Sequence, residues 1–365
     1  MTLQLPPEAG AAAAALSAAL SYPGVFAALA PLDCIVPIAD PRVLSDSLLA
    51  SLPAERLIFR IPADVCADKK VQEKCQRLDD EGFRIMLDGA GVLPAAQTGA
   101  RALSFDCAAG VPALGLLMAL PGPHLARHVD SVERLAACRG SGFHWFAGNY
   151  APASAQEQGP GEDGTSRKRL LALLGLLARD ADSRELETLL KQDPALAYHL
   201  LKLVNSAAFA LSTPIHSFAQ AINLLGRRQL QRWLQLLLYT RQQEDGAPNP
   251  LLPLAAVRAA HMETLCKISG GDRDQQDAAF VAGVFSLLDA LLGMPMTEIV
   301  STLSLDLDVV MALLDRRGTM GAMLALVEQQ TVTESALNGA GIDAEIYWSS
   351  LLQAYHWAIQ VSRNL

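Results

Sequence analysis

The stretch Asp193–Ala210, DPALAYHLLKLVNSAAFA, carries a histidine, an asparagine and a serine on one helix-like segment and its exit. A histidine beside short polar side chains can move protons or ligate a metal. The spacing argues for shape instead. Asp193 before Pro194 is an N-cap with proline at the first helical position, and Leu196, His199, Leu200, Leu203 and Val204 then recur at helical intervals. His199 therefore lies on the apolar side, where its ring packs and makes one hydrogen bond. Asn205 and Ser206 follow the last apolar turn, where short polar side chains bond free backbone carbonyls; the same exit suits contact with a partner. His261, beside Met262 in a helical run, reads as a satisfied or half-exposed histidine. Asp272, Asp274 and Asp277 fall in GGDRDQQD, a loop and helix start with solvated acids, and Asp289 caps or pairs locally. The six cysteines (Cys34, Cys66, Cys75, Cys107, Cys138, Cys266) include no Cys-x-x-Cys pair and no Cys/His group at zinc spacing, which implies reduced, mostly buried thiols.

The elements that must position these residues fall into two halves. Residues 151–166, APASAQEQGPGEDGTS, are dense in Pro, Gly, Ser and acids and read as a linker. Over residues 1–150, short strand-like runs alternate with helical ones: LDCIVPI, ERLIFRI, FRIMLD, ARALSFD, ALGLLMAL and FHWFAG against KKVQEKCQRLDDEG and VDSVERLAACRGSG. This alternation predicts βα units and a mainly parallel sheet, with ligand sites at the C-terminal strand ends. At about 150 residues against roughly 250 for an eight-fold barrel, the half predicts an incomplete TIM-barrel-like fold. Residues 167–365 are patterned almost wholly as helices, among them 227–242, 251–268, 275–292, 306–316 and 342–362, and predict an all-α domain.

Charge narrows the function. The net charge is −9, with 12 basic and 15 acidic residues before Tyr150 and 17 against 23 from Ala151 onward. Neither half has the basic excess that phosphate neutralisation needs, so nucleic acid is not expected as a partner. The local clusters Arg167–Arg169 and Arg227, Arg228 and Arg232 read first as solvated helix faces. The Ala-rich start follows Glu8 and lacks the basic region of a signal peptide, and no long apolar span predicts a membrane segment, so a cytoplasmic protein is expected.

DPALAYHLLKLVNSAAFALSTPIHSFAQAINLLGRRQLQRW resembles the signature of the HDOD domain, the HD-related output domain of bacterial signalling proteins, and FVAGVFSLLDALLGMPMTEIVSTLSL fits the same family. Ahead of it LIFRIPADV, EGFRIMLDGAG, ALSFD, HLARHVDS and GFHWFAGNY resemble, in order, pieces of the EAL domain, the cyclic di-GMP phosphodiesterase barrel. The resemblance implies a metal-assisted phosphodiesterase site that this sequence has lost. Metal-assisted hydrolysis needs carboxylates and an amide oxygen converging on two divalent cations. The first strand with the EAL glutamate has no counterpart, and no Asn occurs before Asn149. Arg60 stands at a metal-binding Glu, Ala63 at the loop-supporting Glu, Gly89 at the second acid of an Asp-Asp pair, Ser104 at the catalytic Lys, Arg127 at another metal-binding Glu and Ala147 at a Gln; Asp88 and Asp106 persist. In the helical half the resemblance puts the His-Asp metal pair at Phe285 and Ser286, and no His-Asp dipeptide occurs anywhere.

The expectation is a catalytically inactive adaptor of the cyclic di-GMP signalling type with no cofactor and no bound metal; the alternatives are a non-hydrolysing cyclic di-GMP receptor and a phosphodiesterase with a nonstandard metal site. Its partners would be other signalling proteins and, as further candidates, cyclic di-GMP and a second copy of the chain. Asn205, Ser206, Arg227 and Arg228 are the candidate partner contacts. Asp88 and Asp106 would be strand-end turn or capping residues; alternatively Arg60 and Arg127 meet phosphates, or pair with acids in a remodelled pocket.

Overall fold

The computed structural model describes residues 24–89, 92–152, 226–240, 249–303, 305–329 and 332–364, with isolated positions outside these blocks. It divides into two compact units, Met1–Ser154 and Ala155–Leu365.

In the first unit β1 (Cys34–Pro37), β2 (Leu57–Pro62), β3 (Arg84–Asp88), β4 (Ala102–Asp106), β5 (Leu125–Arg127) and β6 (Trp145–Phe146) form one sheet in chain order. Every neighbouring pair is parallel. Parallel crossovers are right-handed, and an order that never reverses keeps them on one side of the sheet. The result is a half-barrel with a convex helical side and a concave inner side. The strands are buried on both sides, which explains their near-continuous apolar runs. Leu57, Phe59, Ile61, Leu87 and Leu103 are fully buried, and Ile35, Ile58, Met86, Ala102 and Leu125 form the second, concave cluster against Trp145 and Ala147.

The helices follow their local signals. In α1 (Lys69–Asp80) the Asp68 carboxylate accepts from the Lys70 amide at 2.9 Å, and Val71, Cys75 and Leu78 bury one stripe. α2 (Val92–Thr98) links β3 to β4, and α3 (Val132–Gly140) starts at Ser131, whose hydroxyl accepts from the Arg134 amide. One expected strand is corrected. ALGLLMAL forms a single helical turn, Leu114–Leu117, and the fifth strand is Leu125–Arg127. A run of Leu, Met and Ala without β-branched residues favours helix, and Leu114 and Met118 are exposed at 46% and 75% instead of buried in a sheet.

The described part of the second unit is helical: α4 (Arg227–Leu237), α5 (Leu251–Ile268), α6 (Arg273–Phe285), α7 (Leu288–Leu292), α8 (Met296–Thr302), α9 (Leu307–Asp315), α10 (Gly318–Val327), α11 (Glu334–Gly339) and α12 (Ala344–Asn364). α5 is the central helix, packed on α6 and α12. A Cβ on Gly283 would lie 2.7 Å from the Ala259 Cα, so glycine is what lets α6 approach α5 this closely. Trp357 joins α12 to Trp233 of α4 and Phe280 of α6, with ring centroids 5.6 and 5.9 Å apart. The single helix expected over 275–292 is two, because α6 ends at Ser286, whose hydroxyl donates to the Gly283 carbonyl at 2.8 Å. α6 also begins earlier than expected, at a capping box between Asp272 and Gln275. The expected helix over 342–362 starts at Ala344 and runs two residues further, to Asn364.

Candidate functional site

Residues two apart on a strand share a face, so the concave layer of Ile58, Met86, Ala102 and Leu125 is followed toward the C-terminal strand ends by Arg60, Asp88, Ser104 and Arg127. These four meet. The Arg127 Nη2 donates to both Asp88 oxygens at 2.8 and 3.0 Å, and its Nε donates to the Ser104 Oγ at 3.1 Å. The Arg60 Nε lies 3.7 Å from the Oδ2 of the same carboxylate. Two guanidinium groups thus share one carboxylate, leaving the trio one positive charge in excess. Burial, and then the charge of Arg127, pull the Arg60 pKa below its ordinary value against the opposing attraction of Asp88. The Arg60 Nη1 is buried and has no hydrogen-bond partner among the described residues.

The other positions singled out from the sequence stand around this cluster. Asp106 is outside it, half-exposed at the end of β4, where its carboxylate accepts from the Ala108 amide and faces the His128 Nδ1, both at 2.9 Å. Those contacts, the Ala108 hydrogen bond foremost, hold its pKa below the ordinary carboxylate value. Gly89 has a φ of 104°, which a second aspartate would adopt only with strain, and its amide donates to the Ser104 carbonyl. Ala63 and Ala147 extend the ladder through backbone bonds to the Asp88 and Ala126 carbonyls.

In the helical unit Phe285 and Ser286 are both buried at the end of α6. The Arg258 Nη1 donates to the Ser286 Oγ at 3.0 Å and lies 3.4 Å from the Glu328 Oε1. Glu328 in turn receives the Arg316 Nε at 2.7 Å and Nη2 at 2.8 Å. A carboxylate between two arginines therefore occurs here as well. Burial lowers the Arg258 pKa, opposed chiefly by Glu328. Sequence reasoning missed Arg258, Arg316 and Glu328. The one available signal was Arg258 itself, a lone cation in the apolar run LAAVRAAH.

His199 lies outside the described residues; of the candidate partner contacts, Ser206 does too, Asn205 is an exposed turn residue, and Arg227 opens α4. Arg228 is engaged: it pairs with Asp277 and, at 3.3 Å, with Asp274. Arg232 pairs with Glu263 at 2.6 Å and Asp277 at 2.5 Å, and its guanidinium lies 5.0 Å from the Phe280 ring centroid. The acids of GGDRDQQD are accordingly a helix cap and ion-pair partners, not merely solvated groups. His261 is buried at 1% exposure rather than half-exposed, edge-on to Tyr347. Among the described residues no three His, Cys, Asp or Glu side chains converge as a metal site, and no helix is long and apolar enough to cross a membrane.

A parallel half-barrel followed by a helical unit, each holding an arginine–carboxylate–arginine cluster, sets the context for comparison with known proteins. Residues 168–295 match the HDOD domain family, so the helical unit carries an HDOD domain. The chain is homologous to a protein of Vibrio cholerae named cyclic di-GMP phosphodiesterase CdgJ, at 26% identity over 89% of this chain and 81% of that protein. It also matches the uncharacterized protein YuxH of Bacillus subtilis, at 31% identity over 46% of this chain and 42% of YuxH, so it spans less than half of that relative. No solved structure matches significantly.

Proposed function

We propose that this protein is a catalytically inactive adaptor of cyclic di-GMP signalling, built from a degenerate, truncated EAL-like half-barrel and an HDOD domain, acting in the cytoplasm by binding other signalling proteins. The observation that carries the reading is the Arg60–Asp88–Arg127 cluster. At the strand ends where the EAL resemblance puts ligands for two divalent cations, two guanidinium groups flank one carboxylate already bonded to Arg127. Fixed positive charge at these distances repels a metal pair, and the residues present do not fit one. Arg258, Glu328 and Arg316 repeat the arrangement beside Ser286, where the HD resemblance puts a metal ligand. The relative from Vibrio cholerae is named a phosphodiesterase; at 26% identity, retention of that chemistry depends on retained ligands.

The test is cyclic di-GMP hydrolysis by the full chain with magnesium and with manganese. The expected result is no turnover above background; turnover abolished by Asp88→Ala would overturn the reading. The excess positive charge and the Arg60 Nη1, which has no hydrogen-bond partner among the described residues, favour one second reading, a receptor that binds the dinucleotide without cleaving it. Calorimetry separates the two, since a receptor loses binding on Arg60→Ala or Arg127→Ala and a pure protein adaptor shows none.

A further inference from the structure

We propose that the outer face of α9 is a docking site for an amphipathic helix of a partner protein that carries lysine or arginine along one flank. The inference rests on the adaptor reading and names the chemistry of the partner. α9 buries Val309, Ala312 and Leu313 toward the core formed with α6 and α10. Its opposite side is apolar too: Leu307 is 71% and Leu314 38% exposed, and Val310 and Met311, partly buried, lie between them. Positions 307, 310, 311 and 314 are separated by three, four and seven residues, so they form one ridge along the helix. An exposed apolar ridge opposite a buried face, with this spacing, is the surface into which another helix packs.

Charge selects the occupant. Asp308 and Asp315, seven residues apart, border the ridge on one flank, and exposed Asp306 precedes it. Arg317, 4.0 Å from Asp315, offsets only part of this charge. On the same flank Asp308 lines a cavity of about 490 Å³ of mixed character, with Met320, Met323 and Cys266 beside Gln275 and Arg317. A second copy docked through this ridge about a two-fold axis would bring acidic rims together in a chain of net charge −9, whereas a basic flank would be attracted. The same acids disfavour an anionic membrane surface.

The probe is a labelled leucine–lysine peptide patterned as an amphipathic helix, titrated by anisotropy into the full chain at physiological salt, beside a leucine–glutamate peptide of the same pattern and vesicles containing phosphatidylglycerol. The lysine peptide is expected to bind and the glutamate peptide and vesicles not to. Affinity should fall about tenfold or more in Leu307→Glu/Leu314→Glu and about threefold in Asp308→Asn/Asp315→Asn, with helical content unchanged because all four side chains are exposed. No binding by the unaltered chain, equal binding by the leucine variant, or capture of vesicles through these leucines would overturn the proposal. A dimer of the unaltered chain that the leucine variant dissolves would also overturn it, in favour of a second copy. Turnover of cyclic di-GMP would sink the adaptor reading without changing peptide affinity, so the two failures are distinguishable.

Discussion

Replacing His261 by phenylalanine should remove a defined part of the acid sensitivity of the helical unit. The imidazole is buried in α5 with its ring centroid 4.8 Å from that of Tyr347 in α12, and its Nε2 has no hydrogen-bond partner among the described residues. Burial lowers its pKa from 6.5 to about 4. The native histidine therefore stays neutral through a range in which the unfolded chain takes up a proton. Stability from this group is fully present above the unfolded value of 6.5 and is lost as pH falls toward 4. The interval of about 2.5 pH units, at about 1.4 kcal/mol each, amounts to about 3 kcal/mol, most of which is gone by roughly pH 4.5. Urea unfolding followed by helical ellipticity at about pH 7.5 and pH 4.5 reads it directly. Carboxylate pairs weaken in both proteins, so the comparison is the difference in pH dependence. His261→Phe, whose ring occupies similar space, should lose about 2–3 kcal/mol less than the unaltered protein between the two conditions. Equal losses would refute a buried, neutral imidazole.

Asp88→Asn should lower stability by about 2 kcal/mol, because Arg60 and Arg127 would face each other uncompensated, a figure discounted for their partial exposure. Adding Arg60→Met should recover much of the loss, and a double-mutant cycle by thermal unfolding that gives no coupling would contradict the shared carboxylate. Tyr239→Phe removes a buried bond from the phenol to the Val284 carbonyl at 2.6 Å and should cost about 1–2 kcal/mol in urea unfolding. Gly283→Ala should cost about 1–3 kcal/mol, since the new methyl meets the α5 backbone; an unchanged midpoint would mean that the helices separate freely.

Both layers of the half-barrel were partly legible. Runs such as LIFRI and RIMLD are apolar on both faces because helices cover one side and the concave cluster the other, and such runs announce strands. Leu125–Arg127 was hidden because three residues show no period, whereas the longer ALGLLMAL imitated a strand. In the helical half the span of α5 follows its local spacing, whereas the Asp272–Gln275 capping box starts α6 two residues before the expected position 275. The break at Ser286 has no local rule behind it, since its hydroxyl chooses between the Gly283 carbonyl and solvent only once α6 is packed.

By itself the sequence determined the two-part organisation, the parallel βα character of the first part and the helical character of the second, because periodicity, capping and residue type act over a few neighbours, and it carries arginines at positions 60 and 127. The tertiary structure decided what those arginines do. Asp88 and Arg127 are 39 residues apart, Arg258 and Glu328 70 apart, and Arg228 and Asp277 49 apart. Whether such groups share a carboxylate or lie in solvent depends on strand register and helix packing, which bring distant side chains within hydrogen-bond reach and leave no local trace in the chain.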